Sequence, residues 1–184
     1  ELVEKLDSEE SEMSMEQAAM VEPAAVGVHA AGRAGIEGGE TVVVMGAGPI
    51  GNFTMQALKS AGAHEVIVSD LDESRLALAR ELGADETINI FEVTLEAALD
   101  EMIGGHRQVD LWADCVGHGG EALDNALALA RRGTDILLVG VLASGYTSRN
   151  LINVSEHELR IIGTTMYTPD DYEKAIQLMA SGTI

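Results

Sequence analysis

Residues 41–51 of the chain read TVVVMGAGPIG, a β-branched run followed directly by a glycine-rich segment. The β-branched run Thr41–Met45 predicts a short, buried strand of a parallel sheet, because such strands are covered on both faces. The next six residues form the pattern G-x-G-x-x-G and lead into a helical pattern. A strand, a glycine-rich turn and a helix in that order are typical of a dinucleotide-binding unit.

Each glycine of this turn has its own expected role. Gly46 permits the tight turn, Gly48 lets the backbone approach a diphosphate, and Gly51 lets the helix pack closely. The start of the helix offers free N–H groups and the positive end of its dipole to the diphosphate. We therefore expect Gly46, Gly48, Pro49, Ile50 and Gly51 to bind a dinucleotide. The alternative is a glycine-rich turn without a ligand.

Strand and helix patterns alternate along the rest of the chain. Ser14 and Gln17 have the spacing of a capping box, which predicts a helix that continues to about Ala31. Right-handed crossovers then give an α/β fold with one Rossmann-type doubly wound parallel sheet, strand order 3-2-1-4-5-6, in a single domain. The predicted strands are Thr41–Met45, Glu65–Ser69, Thr87–Ile90, Val109–Cys115, Asp135–Val141 and Leu159–Thr164. Four predicted helices end at the glycines Gly62, Gly83, Gly133 and Gly182.

An acidic residue stands where the second strand ends. Asp70 lies 19 residues after Gly51, at the distance where a carboxylate accepts hydrogen bonds from the hydroxyls of the adenosine ribose. A carboxylate there repels the 2′-phosphate of NADP, so Asp70 predicts NAD as the cofactor. Arg75 lies near the start of the following helix and is expected to reach the ribose or the adenine. The alternative for Arg75 is a solvated helix residue.

Composition excludes several classes of protein. The formal net charge of -20 argues against nucleic acid and membrane surfaces as partners, because both need a basic face. Cys115 is the only cysteine, so a disulfide-built secreted fold is excluded, and we expect a cytoplasmic protein. The chain has no apolar run of the roughly 18 residues that a membrane span needs.

Residues 22–85 carry a family resemblance over the stretch EPAAVGVHAAGRAGIEGGETVVVMGAGPIGNFTMQALKSAGAHEVIVSDLDESRLALARELGAD. This stretch resembles the medium-chain dehydrogenase/reductase family and is similar to its zinc-dependent sorbitol, threonine and butanediol dehydrogenases. The resemblance runs from about Met15 to the end of the chain. It implies the NAD-binding domain of a zinc-dependent alcohol or polyol dehydrogenase, with NAD as cofactor and zinc in the full-length parent.

The resemblance also implies a division of the chain. Residues 1–22 would be an acidic lead-in and the end of a catalytic domain, and residues 23–184 the NAD-binding domain. In the family, the catalytic domain supplies cysteine and His-Glu zinc ligands and contacts the alcohol or polyol. We therefore expect the isolated chain to be inactive and to hold no tight zinc, since one carboxylate does not make a catalytic zinc site.

Further cofactor contacts follow from the same resemblance. Ile50 would pack near the nicotinamide, and three segments at strand ends would line the same side of the cofactor. The alternative for each of them is ordinary packing at a strand end. The residues concerned are Cys115, Val116, Val139, Gly140, Val141, Thr164 and Thr165.

Glu22 is the candidate metal residue. It opens the segment EPAAVGVH, which is similar to the E-P-x-S-V-G-x-H segment of polyol dehydrogenases, with Ala25 in place of the usual Ser. In the family this position holds a zinc ligand or a carboxylate bonded to the zinc-bound water. A carboxylate suits either role. The alternative is a helix carboxylate without a metal.

Three other functions remain open from the sequence. One is a non-zinc, quinone-reductase-like NADPH enzyme, against which Asp70 and Glu22 both argue. Another is an NAD(P)-binding module without chemistry of its own. A methyltransferase that uses S-adenosylmethionine also has a glycine-rich turn and an acidic strand end, but Gly51 and the sixth strand make it remote.

The resemblance implies a homodimer or homotetramer, because the family's coenzyme domains pair across a sheet edge. The uncharged segment Asn150–Ser155 is the expected edge. An uncharged edge offers free N–H and C=O groups to a second copy. The alternative is a covered or irregular edge, since Arg149 and Glu156 flank the segment and the net charge repels.

Overall fold

The glycine-rich turn joins the central strand of a parallel sheet to a helix in the computed structural model, which describes residues 13–184. Within these residues, six strands pair in the order β3-β2-β1-β4-β5-β6. The predicted fold class and strand order are therefore confirmed. The strands are β1 (Thr41–Met45), β2 (Glu65–Asp70), β3 (Glu86–Asn89), β4 (Leu111–Asp114), β5 (Asp135–Leu138) and β6 (Arg160–Gly163).

Seven α-helices connect and cover these strands in the described part of the chain. Two 3₁₀ turns, His106–Gln108 and Arg149–Leu151, precede β4 and the sixth helix. No helix within residues 13–184 has the length and apolar character needed to cross a membrane. The helices are α1 (Met15–Ala34), α2 (Pro49–Ala61), α3 (Glu73–Glu81), α4 (Leu95–Ile103), α5 (Glu121–Leu129), α6 (Ile152–Glu156) and α7 (Pro169–Ala180).

Helix α1 begins at the predicted capping box. The Ser14 hydroxyl accepts the Gln17 N–H at 3.2 Å, and the Gln17 side chain accepts the Ser14 N–H at 2.8 Å. The helix ends at Gly35, whose left-handed φ of 67° satisfies the last turn. The boundary expected between residues 22 and 23 falls inside this continuous helix, and that division stays a prediction. Most of the acidic lead-in lies outside the described residues.

The two faces of the sheet carry separate apolar cores. Side chains alternate along β1, so that Val42 and Val44 face one side while Val43 and Met45 face the other. The first face packs against α1, α2, α3 and α7, and the second against α4 and α5. Because helices cover both faces, an open site is expected where the strand order reverses, at the carboxyl ends of β1 and its neighbours.

Helix α5 ends earlier than the sequence predicted. It ends at Leu129, and Ala130 already has extended backbone with ψ of 129°. Gly133 was expected to end this helix, and that prediction is wrong. The glycine lies in the turn before β5, where its φ is 78° and its N–H donates to the His157 carbonyl at 2.8 Å. Gly133 thus has the predicted left-handed conformation, but this conformation shapes the turn into β5 and does not end α5.

The prediction of an edge strand at Asn150–Ser155 is also wrong, because the segment lies in the second 3₁₀ turn and helix α6. Ser148 accepts the Asn150 N–H, and the amides of Asn150 and Asn153 donate to carbonyls of α5 at 3.2 and 2.9 Å. Such bonds between side chains and backbone compete with strand pairing. The edge strands of the described sheet are β3 and β6.

Candidate functional site

A cleft opens at the carboxyl ends of β1, β2 and β4, where the strand order reverses. It has two adjacent lobes. The first lobe has a volume of about 600 Å³ and contains Gly46, Gly48, Asp70 and Arg75. The second lobe has a volume of about 490 Å³ and is lined by Ile50, Cys115, Val116, Val139, Gly140, Val141 and their neighbours. Cys115, Val116 and His118 line both lobes.

The glycine-rich turn is packed too tightly for side chains at two of its three glycines. Gly46 has a φ of 101°, and a β-carbon on it would lie 2.9 Å from the Val116 side chain. A β-carbon on Gly51 would lie 1.8 Å from the carbonyl oxygen of Gly46, so the helix rests directly on the turn. A β-carbon on Gly48 would meet nothing within 4 Å. Gly48 therefore presents bare backbone to open space in the cleft.

The start of α2 is available to an anionic group. Gly48 is the N-cap and provides no side-chain acceptor, and Pro49 occupies the first turn. The first N–H groups of such a helix have no partner within the helix. Asn52 is buried, and its side-chain amide donates to the Ala47 carbonyl at 3.1 Å, which fixes the turn from below. Asn52 was not predicted from the sequence, where its only signal is its place directly after the glycine pattern.

Asp70 is held at the rim of the first lobe. Its Oδ2 accepts the Ala47 N–H at 2.7 Å, and its Oδ1 accepts the Asp72 N–H at 3.0 Å. Arg75 Nη1 lies 3.9 Å from Asp70 Oδ2, and the Arg75 side chain is 58% exposed. The backbone of the turn after β1 therefore orients the Asp70 carboxylate at the carboxyl end of β2. Arg75 is its nearest cation.

Asp114 organises the second lobe and was not predicted from the sequence. Its side chain is fully buried at the end of β4. Oδ1 of the carboxylate accepts the N–H groups of Val116 and Gly117, both at 2.9 Å. Its main-chain carbonyl accepts the N–H groups of Val139 and Gly140 at 2.9 and 2.8 Å. The sequence offers one signal for Asp114, which is a charged residue directly after the apolar residues of a strand.

Cys115 is partly buried and lines both lobes, and its contact with a cofactor stays a prediction. Burial raises the pKa of its thiol to about 12, so the thiolate that would act as nucleophile or metal ligand is not formed at neutral pH. Val116 is 44% exposed and Val141 is 84% exposed, so both present apolar surface at the second lobe. The second lobe is thus shallow, and it is lined by apolar side chains and by backbone groups.

Two of the expected cofactor residues lie farther along the same edge of the sheet. Thr164 follows β6, and its N–H donates to the Leu138 carbonyl at 3.0 Å. Its hydroxyl is buried and has no hydrogen-bond partner among the described residues. Neither Thr164 nor Thr165 lines either lobe, and Pro49 is exposed outside both. Their role in binding a cofactor stays a prediction.

Other residues complete the first lobe. Leu71 directly follows Asp70 and is 63% exposed, so it offers an apolar surface beside the carboxylate. None of these side chains stood out in the sequence, because they come from strands, loops and helices that only the fold brings together. The further lining residues are Met45, Ser69, Ile90, Leu95, His118, Glu121, Ala122 and Asn125.

Glu22 stands apart from both lobes. It is exposed on α1 and faces Tyr167, which follows β6. Partial burial raises the pKa of the Tyr167 hydroxyl, and the negative charge of Glu22 raises it further. Within residues 13–184, no group of three or more His, Cys, Asp or Glu side chains is placed to hold a metal ion. Glu22 is therefore a single donor, and the described residues alone do not fit a zinc site.

Comparison with known proteins gives consistent matches. The family model described as zinc-binding dehydrogenase matches residues 49–181. The chain is 37% identical over 174 residues to the sorbitol dehydrogenase of Bacillus subtilis (strain 168), and the match covers 94% of this chain and 48% of that enzyme. The chain thus spans about half the length of the curated relatives it matches.

Solved structures share the fold of this chain. One is a zinc-binding dehydrogenase from Sinorhizobium meliloti bound to NADP, with a TM-score of 0.82 and 30% identity over 91% of this chain and 49% of that one. Another is a short chain alcohol dehydrogenase from E. coli CFT073 complexed with NADH, with a TM-score of 0.82 and 29% identity over 94% of this chain and 50% of that one. These two similar proteins carry different nicotinamide cofactors.

Proposed function

The chain belongs to the zinc-binding dehydrogenase family, and from that premise we propose that it is the NAD-binding domain of a zinc-dependent alcohol or polyol dehydrogenase. One observation carries the assignment of the cofactor site. The Asp70 carboxylate is hydrogen-bonded to the Ala47 N–H of the glycine-rich turn at 2.7 Å. A ribose acceptor and a diphosphate-binding turn are thereby fixed side by side in one lobe, as the adenosine half of a dinucleotide requires.

The residues present fit NAD. Bare backbone at Gly48 and the uncapped start of α2 suit the diphosphate, and Asp70 suits the ribose hydroxyls. When bound, NAD supplies the hydride acceptor for oxidation of an alcohol. The nicotinamide half is assigned to the second lobe, with Ile50 and Val116 at its wall. In this proposal the turn and helix bind the diphosphate, and the two lobes orient the two halves of NAD. Asp70 selects the cofactor at the adenosine ribose.

Asp70 also supports NAD over NADP. The similar solved proteins include one bound to NADP and one with NADH, so the family alone does not decide the cofactor. A fixed carboxylate repels a 2′-phosphate. Arg75, the cation that would otherwise receive that phosphate, lies 3.9 Å from Asp70 and is drawn to it. The local charge pattern at the ribose therefore favours the unphosphorylated cofactor.

The zinc and the substrate belong to the proposed parent enzyme. Glu22 is proposed as a zinc ligand or as a partner of the zinc-bound water, with the other ligands supplied by a catalytic domain. The substrate class is proposed as a secondary alcohol or polyol. Support comes from the names of the similar proteins, which include sorbitol dehydrogenase and L-idonate 5-dehydrogenase. The cytoplasm is the proposed compartment, since Cys115 is the only cysteine.

The second candidate is an NAD-binding module without chemistry of its own. The lack of a three-donor metal group in residues 13–184 favours it for the isolated chain. The two candidates differ in what the parent protein does. A parent that binds zinc and oxidises polyols supports the enzyme, and a parent that binds NAD without turnover supports the module.

Binding of NADH to the 184-residue chain tests the cofactor assignment. Titration followed by NADH fluorescence should give saturable binding, and ADP-ribose should compete for the same site. Metal analysis after dialysis should find no stoichiometric zinc, because one carboxylate does not make a three-ligand site. Absence of saturable NADH binding, or displacement by neither NAD nor ADP-ribose, would contradict the proposal.

We also propose that two copies pair through the β6 edge, which replaces the edge first expected. The N–H groups of Arg160 and Thr164 donate to carbonyls on the β5 side. Residues alternate along a parallel ladder, so the Ile161 N–H points outward, away from β5. Ile161 is 39% exposed, and the edge carries little local charge because Arg160 is paired with Asp135. An edge of this kind suits an isologous dimer.

A further inference from the structure

Asp114 has a buried carboxylate with one satisfied oxygen and one unsatisfied oxygen. Oδ1 accepts the N–H groups of Val116 and Gly117, whereas Oδ2 is buried with no hydrogen-bond partner among the described residues. Burial raises the pKa of this carboxyl, although its two N–H bonds act in the opposite direction. A lone buried oxygen of this kind is costly, so some requirement of the site must keep the residue there.

The hydrogen bonds of Asp114 converge on two segments that face each other. Its side chain holds the turn at Val116 and Gly117, and its carbonyl holds Val139 and Gly140 after β5. The backbones of the two segments approach each other closely. A β-carbon on Gly117 would lie 2.4 Å from the Val141 carbonyl oxygen, and one on Gly140 would lie 2.3 Å from the Gly117 N.

These segments are the wall of the second lobe, since Val116, Val139, Gly140 and Val141 line it. The first lobe is fixed by different bonds, among them those of Asp70 and Asn52 to the turn residue Ala47. The glycine-rich turn and the wall of the second lobe are therefore held by separate sets of hydrogen bonds. Val116 also lines the first lobe, so a change at Asp114 should disturb the second lobe more than the first.

We propose that Asp114 is a positioning residue that preforms the second lobe for the nicotinamide half of the cofactor, a role that rests on the proposed function. It acts as a hydrogen-bond acceptor through one oxygen and not as a charge. A single carbonyl oxygen is enough, because Oδ1 takes both N–H groups. The amide of asparagine offers the same oxygen in the same shape, so Asp114→Asn should keep the lobe and Asp114→Ala should lose it.

The test compares two ligands on the 184-residue chain by calorimetry. NADH needs both lobes, whereas ADP-ribose lacks the nicotinamide and needs only the first. Asp114→Ala should weaken the binding of NADH by about tenfold, because two N–H groups lose their acceptor. It should change the affinity for ADP-ribose by less than about twofold. Asp114→Asn should stay within about twofold of the wild type for both ligands.

Asp135 provides the matched control, because it is a buried aspartate at the opposite end of the neighbouring strand β5. Asp135→Ala should lower the melting temperature and leave both affinities unchanged. If Asp114→Ala does not fold, Gly117→Ala forces apart the two segments that Asp114 holds, because its β-carbon would lie 2.4 Å from the Val141 carbonyl oxygen. It should give the same selective loss of NADH binding. Equal losses for NADH and ADP-ribose, or none for either, overturn the proposal. A wild-type chain that binds neither ligand overturns the proposed function, and this inference with it.

Discussion

Gly51 is the residue whose substitution the fold should tolerate least. Its missing β-carbon would stand 1.8 Å from the backbone oxygen of Gly46, so any side chain forces α2 away from the turn. We expect Gly51→Ala to cost about 2 kcal/mol or more and to lower the melting temperature by about 4–8 °C. Differential scanning calorimetry measures this directly.

Gly48→Ala is the matched control, since a β-carbon there meets nothing within 4 Å. This variant should melt like the wild type. It should nevertheless bind NADH about tenfold more weakly, because the new methyl group stands where the diphosphate approaches the backbone. A similar loss of melting temperature in both variants would mean that the two glycines do not have separate roles.

How much of the site the sequence predicts depends on where each signal lies. The positions of Gly46, Gly51 and Asp70 at the turn were predictable because they depend on spacing along one strand, turn and helix. The bond from Ala47 to Asp70, by contrast, joins two strands across the sheet, and no local pattern encodes it. Asp114 was missed for the same reason, since its partners come from a turn and a distant strand end.

At the scale of elements, the first turn of α7 ties the last helix to α1. Asp171 accepts hydrogen bonds from Thr168 and lies 2.8 Å from His29 Nδ1 on α1. Burial opposes ionisation of Asp171, but the bonds from Thr168 and His29 hold the pKa of its carboxyl below the ordinary value. The ionised form therefore stabilises the folded chain.

The sign of the pH effect follows from this lowered pKa. The stabilisation from Asp171 is fully present above the unfolded pKa of about 4 and is lost as the pH falls through the lower folded value. Asp171→Asn should therefore melt about 2–4 °C below the wild type at pH 7, and this difference should shrink below about pH 4. Asp170→Asn, in the same helical turn, is the control. A difference that stays constant with pH would contradict the assigned role.

The elements themselves were predictable to within a few residues, except where polar side chains took over the backbone. Asn150–Ser155 has an alternating pattern that favours a strand, yet Asn150 and Asn153 donate to carbonyls of α5 and bend the segment into helical turns. The two carbonyls that these side chains reach lie 26 residues away in sequence, on α5. That neighbour is a property of the fold.

At the scale of the whole molecule, the β6 edge predicts the assembly. We expect the 184-residue chain to form a homodimer whose stability rises with salt, because the net charge of -20 repels and salt screens it. Ile161→Pro should give a monomer, since proline removes the outward N–H of the edge strand. Light scattering at low and high salt measures both effects.

Ile152→Pro is the informative control, because Ile152 lies in α6 and not on the edge. It should leave the dimer in place if the edge is β6. A monomer for the wild type under both salt conditions, at tens of micromolar protein, would mean that the β6 edge is not an interface.

We expect the first lobe to bind the adenosine half of NAD through Asp70. Calorimetric titration of the wild type and Asp70→Ser with NADH and NADPH measures this. The wild type should prefer NADH, and Asp70→Ser should lose on the order of 1.5–3 kcal/mol of NADH binding and narrow the preference. Equal or tighter binding of NADPH by the wild type, or an Asp70→Ser variant with an unchanged preference, would contradict the claim.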